Sequence, residues 1–485
     1  MAPFSLRYAV VIGVLLCSSV SRSATVLDEI RAINKYDMAP YAALHGLNLT
    51  TLEAVTPDGW VIVVHRIRNT AIFNAERSTP VLLSHGLGCS SLDFMANPRS
   101  QSLAFLLADR GFDVFAINYR ANSFSSRMAR LSHHKHVIQV RPRYADLELA
   151  NWQYMAKYDV RTVIDMILHE SRHDRLYVVG QSMGSTVMFA FLSENPSYAS
   201  KVIHLANLVP GLRFDEDSSR PLRAALLIAP YLNRLLPTPI FHLVLGRDSA
   251  PVSRSVSNLK ALGCWLLPSL CNLGLGVMFN RRTVRDTLVH HHLQRERVAI
   301  YVKLFPNGPI YMNMQLFAMQ YKRKQMKKMD YRALPQTSVT GMEEYGQTSP
   351  PKYDFSSVNV SLSMHFMKND IFMGEATIKR IVRELEVKPA DYRIHSCNRL
   401  NHQETLWAAD ARCCIYDAIL ERFDGIERTR HSKARSSEAV SYRDKVARYV
   451  ADVLKDDNEF CRRLRSDPAY DPEVRKRTLI NRFLH

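Results

Sequence analysis

The chain has 485 residues, 47% of them hydrophobic and 23% charged, a balance that excludes a disordered or fibrous polypeptide and leaves room for a large core. It is strongly basic, with a formal net charge of +18. No zinc-finger spacing or RNA-binding signature accompanies that charge, so nucleic acid is not expected as a partner; the basic character reads first as an ordinary basic surface, and second as attraction for anionic lipid or another acidic surface.

The first residues, MAPFSLRYAVVIGVLLCSSVSRSA, have the layout of a secretory leader. Arg7 is the only charge before a short apolar run, and small residues follow at Ser19, Ser21, Ser23 and Ala24. Residues 1–24 are therefore expected to be a signal peptide cleaved between Ser21 and Ala24. No later run is long and charge-free enough to cross a bilayer. The mature chain is expected in the secretory pathway, extracellular or lysosomal. Asn48-Leu49-Thr50 and Asn359-Val360-Ser361 fit the N-glycosylation acceptor pattern, although Asn359 falls in an expected strand.

Of eight cysteines, Cys17 leaves with the leader and seven remain. The odd count demands at least one free thiol or an intermolecular bond. Cys264 and Cys271 bracket WLLPSL and are placed to close a local disulfide. The adjacent Cys413 and Cys414 read as packed or paired elsewhere. No cluster has zinc spacing, and no metal or organic cofactor is expected.

TTLEAVTPDGWVIVVHRI reads as a hairpin turning at Pro57-Asp58-Gly59. TPVLLSHGLG is a buried strand entering a glycine-containing loop. SQSLAFLLADRGFDVFAINYR is a helix, a turn at Gly111 and a strand; NWQYMAKYDVRTVIDMIL is a helix. RLYVVG is a strand, STVMFAFLSENP a helix stopped by Pro196, and KVIHLANLVP a further strand. Such alternation from about residue 80 to 215 predicts a mostly parallel sheet covered on both faces, with its ligand at the carboxyl ends of the strands.

From about 216 to 350 the alternation stops and a mainly helical insertion is expected. VNVSLSMHFMKND resumes a strand, with Val358, Val360, Leu362, Met364 and Phe366 at period two. DYRIHSCNRLNH is another strand with a loop, and TLWAADARCCIYDAILERF a closing helix. The charge-dense remainder reads as a partly helical or disordered extension.

GQSMG, between a strand and a helix, has the form of a nucleophile elbow presenting Ser182. A serine hydroxyl needs a base and a group to orient that base. In this architecture the chain order is serine, acid, histidine. Asp370 follows the period-two strand; His402 follows the last strand and precedes the closing helix. Asp391 rivals Asp370 but precedes its strand. His395 sits within a strand, and His431 and His485 lie in the tail. The backbone N–H groups of Leu87, in HGLG, and of Met183 are the expected oxyanion donors.

TPDGWVIVVHRI, LLSHGLG, SLAFLLADRGFDVFAINYRANSFS, MAKYDV, LYVVGQSMGST, YGQTSPPKYDFSSVNV and LNHQETLW together resemble the acid lipase family of α/β-hydrolases, the gastric and lysosomal acid lipase type. The resemblance runs from about residue 45 to 423. It implies an α/β-hydrolase fold: a mostly parallel central sheet flanked by helices, with a mainly helical cap or lid insertion. On that frame residues 25–215 form the first part of the core, 216–350 the cap, 351–423 the second part of the core, and 424–485 a charged extension. The family's serine, aspartate and histidine fall on Ser182, Asp370 and His402, and its oxyanion donors on Leu87 and Met183. Cys264 and Cys271 resemble its cap disulfide at a different spacing.

The implied activity is hydrolysis of neutral lipid esters, triacylglycerol or cholesteryl ester, at an oil–water or membrane interface. Two other readings fit the residues: a carboxylesterase for short soluble esters, and a lipid carrier that kept the fold and lost the chemistry. The chain departs from the family's G-H-S-Q-G at Gln181 and Met183, and from its R-G-N at Ala121.

Overall fold

The computed structural model describes residues 26–34, 36–131, 136–215, 217–228, 231, 254–279, 294–333, 339–397, 400–432, 437–453 and 461. The leader expected over residues 1–24 lies outside them, as does most of the second half of PLRAALLIAPYLNRLL.

Ten strands form one sheet: β1 Asn48–Val55, β2 Trp60–Arg68, β3 Pro80–Ser84, β4 Asp113–Asn118, β5 Arg127–Leu131, β6 Val137–Val140, β7 Leu176–Gln181, β8 Val202–Leu208, β9 Leu362–Met367 and β10 Tyr392–His395. Their order is β10-β9-β8-β7-β3-β4-β2-β5-β6, with β1 paired to β2. From β10 to β4 every neighbour is parallel; the pairs that β2 makes, and β5 with β6, are antiparallel. Every residue of β3, β4, β7 and β8 is buried. Such strands must be covered on both faces, and their near-continuous apolar runs are the sequence form of that demand.

Covering helices follow the strands in sequence: Leu103–Asp109, Val160–Ser171, Met183–Glu194, Glu375–Glu384 and Asp417–Ser432. The helix Met183–Glu194 is buried from Met183 to Leu192, which its unbroken apolar sequence requires. Between β8 and β9 the described residues hold helices and no named strand, among them Arg254–Leu266, Pro268–Phe279 and Ile310–Arg323.

Three local expectations change. Strand β9 begins at Leu362, not at Val358, because its pairing with β8 starts only at Leu205 opposite Leu362. Asn359 is consequently exposed in the loop ahead of the strand; Asn48, at the start of β1, is exposed as well. The tail is more ordered than its charge density suggests. A helix runs through the expected boundary at Phe423, and a second, Ser437–Val453, docks on the core. There the Tyr442 hydroxyl donates to the Gly111 carbonyl at 3.2 Å and Arg99 donates to the Tyr449 hydroxyl at 2.5 Å. Cys413–Cys461 ties the extension down further along. The third difference is the β5–β6 hairpin, where no element is expected from the sequence.

Arg120 locks the first hairpin to the core. Its fully buried guanidinium lies 2.7 Å from both Asp159 and Asp58, and Asp58 belongs to the β1–β2 turn. Ala121 follows with φ of +62°, a conformation that costs a residue with a Cβ and suits the glycine of the family pattern.

Candidate active site

Strand β7 ends at Gln181, and the helix from Met183 begins one residue later. Ser182, between them, takes φ +52° and ψ −117°, a strained conformation held by four backbone hydrogen bonds. Its N–H donates to Leu208 at 2.9 Å, and its carbonyl accepts from Ser185, Thr186 and Gly211. So sharp a turn brings the new helix against β3. A Cβ on Gly184 would stand 2.1 Å from the Ser84 carbonyl oxygen, so the last glycine of the pentapeptide is a packing requirement. The outcome is a hydroxyl on the carboxyl edge of the sheet, at the amino end of a helix whose first N–H groups lack intrahelical partners.

The expected partners converge on that hydroxyl. His402 Nε2 lies 2.7 Å from Ser182 Oγ, and His402 Nδ1 lies 2.8 Å from Asp370 Oδ2. The carboxylate can only accept, so Nδ1 carries the proton and Nε2 presents its lone pair to the serine hydroxyl. Asp370 and His402 are both buried, and the second carboxylate oxygen accepts the Phe372 N–H at 2.7 Å. Thr405 Oγ1 donates to the His402 carbonyl, and the Phe372 ring packs 4.2 Å from the imidazole, centre to centre. The rival groups lie elsewhere: Asp391 pairs with Arg422, and His395 contacts His365 at the sheet's edge.

After β3 the chain reads His85-Gly86-Leu87-Gly88. Gly86 lies so close to the elbow that a Cβ there would stand 3.1 Å from Ser182 Cβ and closer still to the Gln181 carboxamide. His85 braces this loop from beneath. Its Nδ1 lies 2.9 Å from the Gly86 carbonyl, and its Nε2 accepts the Tyr119 N–H at 3.3 Å. Only the neutral Nδ1–H tautomer serves both contacts, and burial pushes this imidazole's pKa down to about 4. On the other side Asn307 donates its N–H to the Gly88 carbonyl at 2.7 Å. Leu87 is thus carried between two fixed residues beside the serine.

Sequence reasoning missed the supporting residues. Phe372 sits two positions after Asp370, and nothing in its spacing marks it. Cys89, the free thiol that the odd count demands, is buried next to Gly88 and accepts a contact from Gln403 Nε2 at 3.5 Å. The remaining cysteines of the described residues pair as Cys264–Cys271, Cys397–Cys414 and Cys413–Cys461. Gln181 is fully buried, and its carboxamide finds no hydrogen-bond partner among the described residues. A cavity of about 420 Å³ lined by Leu212, Phe214, Met326 and Tyr353 contains none of the three converging side chains.

The fold and the convergence of serine, histidine and aspartate define a carboxylic ester hydrolase built on the α/β-hydrolase fold. Residues 79–243 match the family model described as the alpha/beta hydrolase fold, and residues 38–98 match the partial alpha/beta-hydrolase lipase region. The chain is 27% identical over 380 residues to the gastric triacylglycerol lipase of Rattus norvegicus, covering 76% of this chain and 86% of the relative. It is 25% identical over 379 residues to Lipase 1 of Drosophila melanogaster, covering 78% and 77%. With Lipase member N of Homo sapiens it shares 25% over 374 residues, covering 76% and 86%. Along the matched spans the chain is similar to lipases of the α/β-hydrolase fold, and these matches support ester hydrolysis with lipid esters as the general substrate class. Among the described residues no helix is long and apolar enough to cross a membrane.

Proposed function

We propose that this chain hydrolyses neutral lipid esters, triacylglycerol or cholesteryl ester, through an acyl-enzyme on Ser182. The observation that carries the reading is the continuous pair of hydrogen bonds from Ser182 Oγ through His402 to Asp370. His402 Nε2 takes the hydroxyl proton as Oγ attacks the ester carbonyl. Asp370 holds the imidazole in the tautomer that accepts it and stabilises the cation that forms. The oxyanion is received by the N–H groups of Leu87 and Met183. The proton on His402 then passes to the departing alcohol, and water, deprotonated by the same imidazole, releases the fatty acid and restores the serine.

Substrate class follows from the cap. On our reading the helical insertion between β8 and β9 covers the site, and its described helices carry apolar side chains in solvent. Leu259, Leu262 and Leu266 on one helix, with Leu267 and Leu270 beyond it, are each 48% to 69% exposed. Cys264–Cys271 joins the two helices, with Cys264 buried on the side away from these leucines. An apolar surface of that kind suits a lipid phase better than water. The sequence of residues 1–24 and the paired cysteines favour the secretory pathway, secreted or lysosomal. Purified Ser182→Ala protein assayed on emulsified triacylglycerol and cholesteryl ester tests the reading. Retained turnover would contradict it.

A further inference from the structure

The link that returns from the helical insertion is wedged between two parts of the site. Residues 305–309 join helix Val298–Leu304 to helix Ile310–Arg323. The Phe305 ring stands edge-on to Trp407 at 5.2 Å, and Trp407 lies in the short helix that follows His402. The same ring is 3.1 Å from where a Cβ on Gly88 would stand. The insertion holds the link from behind: Lys260, on helix Arg254–Leu266, donates to the Phe305 carbonyl at 3.0 Å.

Asn307 bonds this link to the core. Its N–H donates to the Gly88 carbonyl at 2.7 Å. That carbonyl shares a planar peptide with the Cys89 N–H, which donates to the Gly86 carbonyl at 3.3 Å. The Gly86 carbonyl shares its own plane with the Leu87 N–H. Two rigid planes thus connect Asn307 to an expected oxyanion donor. The Asn307 side chain fixes the residue itself. It is buried, its Oδ1 accepts the Ser123 N–H at 2.8 Å, and its Nδ2 donates to Ser123 Oγ at 2.9 Å. Ser123 is anchored to the sheet through its neighbour. The Asn122 carboxamide accepts from the Phe124 and Ser125 N–H groups and donates to Asn118, the last residue of β4. Gly308 permits the close approach: its φ is +76°, and a Cβ there would stand 3.3 Å from Asn122 Cβ.

We propose that Asn307 is a positioning residue for the oxyanion site, holding the Leu87 N–H toward the developing charge through its side-chain pair with Ser123. The inference rests on the roles proposed above for Ser182, Leu87 and Met183. A displaced donor loses more of its bond to the charged transition state than to the neutral ester, so the loss falls on kcat and not on KM. The same connection makes the oxyanion site depend on the seat of the insertion. A shift of helix Arg254–Leu266 that draws the link away carries the Gly88 carbonyl with it.

The test uses the full chain and soluble p-nitrophenyl butyrate. Asn307→Ala should lower kcat about ten- to hundredfold with KM within about twofold of the parent. Ser123→Ala removes one of the two side-chain bonds and should lower kcat severalfold; added to Asn307→Ala it should cost little more. An alkylboronic acid accepts Ser182 Oγ while His402 takes the proton, leaving a tetrahedral anion with an oxygen at the oxyanion position. Its affinity should fall in step with kcat, whereas that of the uncharged ether analogue of the ester should not change. The pH dependence of kcat/KM should keep its midpoint, because His402 and Asp370 are untouched. Parental kcat in folded Asn307→Ala, or boronate and ether affinities that fall together, overturns the proposal. If Asn307→Ala does not fold, Ser123→Ala decides by the same split. A parent that neither turns over the ester nor binds the boronate refutes the ester hydrolase reading and the proposal with it; an active parent with unaffected variants refutes the proposal alone.

Discussion

His402 Nε2 and Ser182 Oγ stand 2.7 Å apart although 220 residues separate them in the chain. On the proposed mechanism Ser182 is the nucleophile, so Ser182→Ala should lower kcat roughly ten-thousand-fold or more. Asp370→Asn should cost a comparable factor, because an amide can donate to Nδ1 and so favour the wrong tautomer. Both variants should unfold close to the parental temperature. Turnover of emulsified triacylglycerol, read together with Tm, checks this; a Tm loss large enough to account for the inactivity would remove the mechanistic interpretation.

Ala121 offers a prediction of the opposite sign. Its φ of +62° places a Cβ where the family pattern has glycine. Ala121→Gly should relieve the left-handed strain, less the larger chain entropy that glycine loses on folding, for a net gain of about 0.5–1 kcal/mol. Urea denaturation would show a higher midpoint at unchanged slope. A lower midpoint would mean that the side-chain packing of buried Ala121 outweighs the strain.

Thiol chemistry follows from the pairing. Cys89 is the free cysteine of the described residues; it is buried, and burial holds its thiol well above the ordinary cysteine pKa. The native mature protein should react with no equivalent of a thiol reagent. Unfolded without reductant, it should react with one equivalent, and with two if Cys17 is retained. Several reactive equivalents in the unfolded, non-reduced protein would refute the three pairs.

The elbow and the meeting of Asp370 and His402 at Ser182 were legible in the sequence because the proposed chemistry imposes local grammar. Ser182 needs the glycines around it, and Asp370 and His402 must follow strands at the edge where ligands bind. The β5–β6 hairpin was not legible. Its strands are only five and four residues long and bury a single side chain fully between them, Met128, so they lack the alternation that one buried face writes into a sequence. The docked helix Ser437–Val453 was hidden similarly. It is held by Tyr442, Tyr449 and a distant disulfide, contacts that are invisible until the partners are placed. Val358 and Val360 kept the period of a strand without the neighbour that would have paired them.

Stability should fall as the solution is acidified. Burial holds His65 at about 3 and His85, His204 and His395 at about 4, and keeps His365 well below its ordinary value. These five imidazoles are neutral in the folded protein, while in the unfolded chain they gain protons below about 6.5. Their contribution is complete above that pH and is lost as pH falls toward 4. Three carboxyls oppose them. Burial raises Asp93 and Asp159 to about 6 and Glu404 to about 7, so their contribution is complete below about 4 and is lost as pH rises through those values. Near pH 5 the unfolded chain therefore binds about two more protons than the native one at these eight sites. Each net proton is worth about 1.4 kcal/mol per pH unit. Tm measured from pH 7 to 4.5 should drop steeply below about 6, and His204→Gln should flatten the slope by up to about one proton. A Tm that holds constant or rises on acidification would show that other carboxyls outweigh the buried imidazoles.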